Sequence, residues 1–313
     1  MTEAAGVLLV DKPAGPTSFE VVARVRRALA VSRAGHAGTL DPAATGLLAI
    51  CLGEGVKLQR FLAEGDKSYE ALVALGAATD TEDAEGRVTA RGDPSALDAA
   101  AVAAALPRFL GEIDQVPPMF SAIHVGGRRL HQAARRGEEV ERAPRRVTVH
   151  ALELLGFEPA RDGLARARLA VRCGKGTYVR TLAADLGRAL GVPAHLAVLR
   201  RTAAGPFSVA GAIPLAEVER LAREALPALL ARVVSPAEAL AFLPAVPVDG
   251  AGARALRQGK ALPCPDGPAG LTRALDPEGR LVAVCTAAGG TLRPVRVWVG
   301  PAKPLTERGK SAN

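Results

Sequence analysis

Strand-like and helix-like segments interleave along this 313-residue chain without the regular spacing of repeated strand–helix–strand units. That irregular order argues for a mixed α/β or α+β fold over a doubly wound parallel sheet. GVLLVDKPAGPTS, from residue 6, reads as a short buried strand running into a Pro/Gly loop. TSFEVVARVRRAL follows with a capping box, Thr17 with Glu20 three residues on, and a helix with Phe19, Val22, Val25 and Leu29 on its apolar face. SYEALVALG over 68–76 reads as a strand, and 146–158 and 164–173 as two more. GKGTYVRTLAADLGRALG starts a helix near Thr177, with Val179, Leu182, Leu186 and Leu190 as its buried stripe and Gly191 at its end. Residues 217–243 are helical and rich in Ala and Leu, and 242–250, with two prolines, reads as a linker or domain edge. A β-rich tail follows, with DPEGRLVAVC forming a hairpin and TLRPVRVWVG closing it. No internal repeat is visible.

Charge narrows the class of partner. The formal balance is +8, from 40 Lys and Arg against 32 Asp and Glu, which favours an anionic partner with nucleic acid first. Residues 121–146 hold seven Arg and three Glu, half of that excess in one segment. The four cysteines (51, 173, 264 and 285) form no Cys-x-x-Cys pair, and the five histidines show no ligand spacing beside them. Neither a zinc site nor a secreted disulfide framework is expected. MTEAAG has no basic n-region and apolar runs such as LLAICL are short, so neither a signal peptide nor a membrane span is expected, and the chain is placed in the cytoplasm.

GHAGTLDPAATGLL, residues 35–48, carries one acid, Asp41, among small and apolar residues. Asp41-Pro42 has the form of a helix opening, with Asp as N-cap and Pro as the first helical residue. Arg180 raises a second reading. It sits at the start of a helix, where the dipole favours an acid, so it is expected to pair with a carboxylate that needs fixed orientation and a low pKa. Asp41 is a natural partner. Gly174 and Gly176 flank Lys175 and allow a ligand backbone to approach closely. The acids of ATDTEDAEGRV do not match a calcium loop, because Ala84 stands at a ligand position, and the stretch reads as a solvated turn.

Six segments in order carry a resemblance: GVLLVDKPAGPTS, AGHAGTLDPAATGLL, DKSYEALVALGAATDTEDAEG, VPPMFSAIHVGGRRLHQAARRG, RCGKGTYVRTLAADLG and HLAVLRRTAAGPF. Over most of 6–208 the chain resembles the TruB family, the bacterial synthases that convert uridine 55 in the tRNA T loop to pseudouridine. The resemblance implies a pseudouridine synthase domain over 1–243, with a central mixed, largely antiparallel sheet and a thumb inserted at about 121–148. It also implies a small PUA-like RNA-binding domain over 244–301, through RQGKAL, DPEGRLVAV and LRPVRVW, and a disordered tail over 302–313. It makes Asp41 the catalytic nucleophile, Tyr69 the group stacked on the target uracil and a candidate base for its C5 proton, and Arg180 the ion-pair partner of Asp41. His36, Tyr178 and Leu199 would help hold the flipped nucleotide and neighbouring RNA. Arg128, Arg129, Arg135 and Arg136 of the thumb, with Lys175, would contact RNA.

The implied reaction loses no group, so no cofactor or metal is expected. The partner is the T stem-loop of tRNA, and the chain is expected to be a monomer. Two other functions fit the same fold: a tRNA-binding chaperone, and a guide-RNA-dependent synthase, against which the thumb-like segment argues. A base-releasing glycosidase is more distant, because glycosidases usually pair two carboxylates and no second matching acid stands out.

Overall fold

A computed structural model of the full chain describes residues 4–120, 124–125, 128–129 and 140–298. Its centre is a ten-stranded mixed sheet. The strands used below are β1 (Gly6–Lys12), β2 (Ala34–His36), β3 (Thr45–Leu52), β4 (Lys67–Leu75), β5 (Gly111–Gln115), β6 (Arg145–Arg161), β7 (Leu164–Cys173), β8 (Ala194–Ala204) and β9 (Ile213–Pro214). They run in the order β9-β1-β3-β8-β4-β7-β6-β5, with β2 beside β3. Pairing along that path is antiparallel except at β9–β1 and β3–β8.

The β3–β8 contact is short. Only Arg200↔Thr45 and Arg201↔Gly46 are in register. Two larger antiparallel blocks therefore meet over a narrow seam, and the loop leading into β3 lies at that seam. Each block has its own core. On one side, helix α1 (Ser18–Ala28) and Leu215 and Val218 of helix α3 (Leu215–Glu224) pack with Leu8, Leu48 and Ile50. On the other, Val179, Leu182 and Leu186 of helix α2 (Val179–Ala189) pack with Val73, Leu169 and Leu196. Each such Leu contributes about 1.5–3 kcal/mol when fully buried.

The capping box at Thr17 and Glu20 is present at the start of α1. The apolar face of α1 departs from the expected one. Val21, Val22, Val25 and Leu29 are buried, but Phe19 is 78% exposed. The helix begins at Ser18, whose side chain faces inward to Leu40; Phe19, one residue on, is turned about 100° away. The helical stretch 217–243 is three short pieces, Leu215–Glu224, Leu226–Leu230 and Pro236–Ala239.

The tail forms a second sheet of strands β10 (Ala245–Pro247), β11 (Leu262–Pro263), β12 (Gly270–Leu275), β13 (Leu281–Ala288) and β14 (Thr291–Val297), in the order β10-β12-β13-β14-β11. The segment read as a linker thus includes a strand. Helix α4 (Gly250–Arg257) covers this sheet through Ala253 and Leu256. Leu281, Val284 and Trp298 bury instead in one cluster with Val7, Phe61 and Leu240. The β-rich tail is therefore docked through an apolar seam. Of the thumb, two short strands, His124–Val125 and Arg128–Arg129, pair as a ladder. Arg135 and Arg136, and the tail over 302–313, lie outside the described residues, as do the side chains of Arg128 and Arg129.

Candidate active site

The loop between β2 and β3 is held from behind by three buried side chains. Lys12, wholly buried, donates to the carbonyls of Pro13 at 3.0 Å, Pro42 at 2.8 Å and Ala44 at 2.7 Å. Ser18 Oγ donates to the Leu40 carbonyl at 2.8 Å and accepts from the Leu40 N–H at 2.8 Å. Arg201 donates from Nε to Leu47 O at 2.7 Å, and from its two terminal nitrogens to Thr39 O and Gly38 O, both at 3.1 Å. Gly38 has a φ of +121°, a conformation that disfavours any side chain. No helix follows Asp41: residues 41–44 form a bend that runs directly into β3. The N-cap reading of Asp41 is therefore wrong. Three long-range anchors fix the loop, and its sequence shows none of them.

With the loop backbone held, the Asp41 carboxylate is 44% exposed, and its Oδ2 lies 3.1 Å from Arg180 Nε. Arg180 is buried and fully engaged. It reaches Asp83 Oδ2 at 3.2 Å, the Thr81 carbonyl at 3.2 Å and the Phe120 carbonyl at 2.9 Å. Its place on α2 is set by Gln115 of β5. The Gln115 side-chain oxygen accepts from the Tyr178 N–H at 2.8 Å, and its amide donates to the Tyr178 carbonyl at 3.0 Å.

Asp83 corrects the reading of ATDTEDAEGRV as a solvated turn. Its side chain is 14% exposed, accepts from Thr81 Oγ1 at 2.6 Å and from the Glu85 N–H at 3.1 Å, and shares Arg180 with Asp41. The turn is tied to β8 through the Leu196 N–H, which donates to the Glu82 carbonyl at 3.0 Å. A crowded acidic turn looks solvated in sequence because nothing local shows which acid faces inward.

The electrostatics differ from the simple ion pair expected. Burial pushes the Asp41 carboxyl above its ordinary value; Arg180 and Lys12 oppose this, Asp83 adds to it, and burial prevails. Tyr69 of β4 is half-buried against the core of its block. Burial raises its phenol, and the positive charge of Arg201 works the other way. Burial, then the Arg201 charge, lowers His36 and favours its neutral ring.

The structure thus joins Asp41 to Arg180, and sets Tyr69 opposite Arg201 in register across β4 and β8. Leu199 lies two residues before Arg201 on β8, and its carbonyl accepts from Thr45 Oγ1 at 3.4 Å. Tyr178 is the N-cap residue of α2, two positions from Arg180. His36 ends β2, five residues before Asp41. Lys175 stands apart, exposed and paired with Glu64. Lys12, Asp83, Gln115 and Arg201 are the site residues that sequence reasoning missed.

Family models match the chain from residue 26 to residue 299. The TruB family pseudouridylate synthase N-terminal domain covers 26–179, the tRNA pseudouridylate synthase B C-terminal domain 180–241, and the tRNA pseudouridine synthase II C-terminal domain 243–299. A protein of Symbiobacterium thermophilum named tRNA pseudouridine synthase B is 50% identical over 260 residues, 83% of this chain and 84% of that one. A protein of the same name from Aromatoleum aromaticum is 49% identical over 294 residues, 93% of this chain and 92% of that one. Among solved structures, a chain of a Cbf5-Nop10-Gar1 complex superposes with a TM-score of 0.73 at 27% identity, covering 94% of this chain and 85% of that one. The motifs around Asp41, Tyr69 and Arg180, the mixed sheet that brings them together, and relatives half identical over most of the length agree: the chain belongs to the TruB family of pseudouridylate synthases.

Proposed function

We propose that this chain converts uridine 55 in the T loop of tRNA to pseudouridine, with Asp41 as the catalytic carboxylate. One observation carries the reading: a half-exposed carboxylate on a loop locked from behind and oriented by a buried arginine at 3.1 Å. Relatives named tRNA pseudouridine synthase B supply the substrate class.

The reaction breaks the N1–C1′ bond, turns the uracil, and joins C5 to C1′. It neither gains nor loses a group, so acid–base and nucleophilic groups suffice. The target base is flipped out of the loop to reach the site. Asp41, ionised and aimed by Arg180, can bond the sugar or the base, or take a ribose proton. The raised pKa of Asp41 suits a group that must also leave or accept a proton. Tyr69 stacks on the uracil, and it can take the C5 proton only after passing its own phenolic proton to water, a loss that burial opposes and the Arg201 charge favours. His36, with a neutral ring, together with Tyr178 and Leu199, packs the flipped nucleotide and its neighbours. Arg128, Arg129, Arg135 and Arg136 of the thumb, and Lys175, grip phosphates. The catalytic unit spans 1–243 and the RNA-binding tail domain 244–301. The protein acts as a monomer in the cytoplasm; no helix among the described residues is long and apolar enough to cross a membrane.

Tritium release from a tRNA transcript carrying C5-labelled uridine tests this directly, since the C5 hydrogen is lost on isomerisation. Release is expected from the intact transcript, and none after uridine 55 is replaced by cytidine. Undiminished release from the replaced transcript would mean that another uridine is the target.

A further inference from the structure

The geometry points to Glu82 as a positioning residue for this reaction: its side chain pins the turn that carries Asp83 to the helix that carries Arg180, and so sets where the guanidinium meets Asp41. The inference deepens the function proposed above and rests on it.

Glu82 has a φ of +64°, in the left-handed region. Among the described residues only Ala30 and Asp162 also have positive φ without being glycine. Asp reaches that region readily, because its short side chain bonds locally. Glu lacks that help, and glycine would adopt the same φ at no steric cost. A longer side chain kept at such a position is held there by its surroundings, and positions of this kind gather at functional sites.

The surroundings are specific. The turn joins the strands Ala77–Thr79 and Val88–Arg91, which pair antiparallel. The Glu82 N–H donates to the Thr79 carbonyl at 3.3 Å, and the Glu82 carbonyl accepts from the Leu196 N–H of β8 at 3.0 Å. Glu82 Oε2 accepts from Thr181 Oγ1 at 2.7 Å. Thr181 is buried and follows Arg180 directly on α2. On either side of Glu82, the Thr81 carbonyl and Asp83 Oδ2 both accept from Arg180 Nη1 at 3.2 Å. Three successive turn residues therefore grip two successive helix residues.

The Thr181 hydroxyl does not need Glu82 for its own sake. A threonine inside a helix can donate to the carbonyl one turn back. Here the proton is directed across to the turn. The link thus keeps a strained residue where glycine would be relaxed, and turns outward a hydroxyl that the helix could satisfy alone. One result explains both: the turn and the helix stand at a fixed separation, with Arg180 held between them. The charges that act on the Asp41 carboxyl are those of Arg180, Asp83 and Lys12, and Arg180 opposes the upward push of burial. A looser Arg180 would leave that carboxyl raised further.

The test reads rate, pH dependence and stability together. Glu82→Gly, Glu82→Gln, Thr181→Val and the Glu82→Gly/Thr181→Val double variant are compared by single-turnover tritium release at saturating tRNA and by urea unfolding. Glu82→Gly removes the link and frees the backbone. Its urea midpoint should match or exceed that of wild type, yet release should slow about tenfold. A full ångström of misplacement costs about a hundredfold, but Asp83 and the Phe120 carbonyl still hold the guanidinium. The acid limb of its pH–rate profile should move to higher pH, because Asp41 loses part of the Arg180 charge. Glu82→Gln keeps an acceptor for the hydroxyl and should keep both its rate and its acid limb. Thr181→Val should slow release as Glu82→Gly does, Thr181→Ser should retain the wild-type rate, and the double variant should be no slower than either single one. Thr181→Val and Thr181→Ser decide the matter if Glu82→Gly does not fold. Undiminished release from Glu82→Gly, a slowing that tracks lost stability, an unmoved acid limb, or losses that multiply in the double variant would each overturn the proposal. Absent release from the unaltered protein would overturn the functional reading and this inference with it, whereas normal release there with no slowing in the variants overturns the inference alone.

Discussion

Arg180 carries a buried positive charge shared by two carboxylates, and the two have different work. Asp41 is half-exposed and meets Nε, whereas Asp83 is enclosed and holds a terminal nitrogen of the guanidinium. Asp83→Asn keeps the shape and removes that hold. Its single-turnover rate should fall about tenfold to a hundredfold, as expected for loosened alignment, with little change in tRNA affinity; an unchanged rate would mean that Arg180 needs only Asp41. The pH dependence of stability gives a second test. The folded pKa of Asp41 is raised, so between the ordinary carboxyl value and that raised value the folded state binds more protons than the unfolded state. The contribution of this group to stability is therefore present below the window and lost as pH rises through it. Relative to wild type, Asp41→Asn should gain stability as pH rises through that window, as read by urea unfolding at a series of pH values. The Asp41–Arg180 pairing was legible in the sequence because an arginine at a helix start calls for a carboxylate partner. Asp83 and Arg201 were not, because their partners are 97 to 163 residues away and only the fold brings them together.

The β2–β3 loop shows what local sequence can mislead about. Asp-Pro suggests a helix start, yet the following residues enter a strand, because long-range anchors outweigh local propensity. Lys12 is the anchor contributed by β1. Lys12→Met would leave the carbonyls of Pro13, Pro42 and Ala44 without that donor. It should destabilise the protein by about 1–3 kcal/mol by chemical unfolding, and slow turnover beyond what the stability loss explains. Normal turnover in a folded Lys12→Met protein would show that the loop is held well enough without it. The elements that did read correctly, the capping box of α1, the long β6 and β7, and the hairpins of the tail, are ones whose signals are local. Phe19 is exposed because the buried stripe of α1 centres on Ser18, Val21, Val22, Val25 and Leu29, which leaves Phe19 about 100° from Ser18 on the solvent side.

Across the whole molecule, the tail domain is more than an appended RNA grip. Leu281, Val284 and Trp298 fill a core shared with Val7, Phe61 and Leu240. A chain ending at Leu243 should therefore unfold at lower temperature than the full protein. Trp298→Ala should cost about 3–5 kcal/mol by denaturant titration; a loss well under 1 kcal/mol would mean that the two parts are energetically independent. The β-rich character of the tail was legible from its strand and turn signals, but the docking seam was not, since alternation along β13 gives no hint that both its faces are covered. All of this architecture converges on one carboxylate, and one substitution tests it most directly. Asn can replace Asp41 in shape but is a far poorer nucleophile and base. We expect purified Asp41→Asn to fold normally, to bind full-length tRNA within a few-fold of wild type, and to release no tritium from C5-labelled uridine 55. Near-normal release, with deamidation back to Asp excluded by peptide mapping, would contradict the assignment of Asp41 as the catalytic carboxylate.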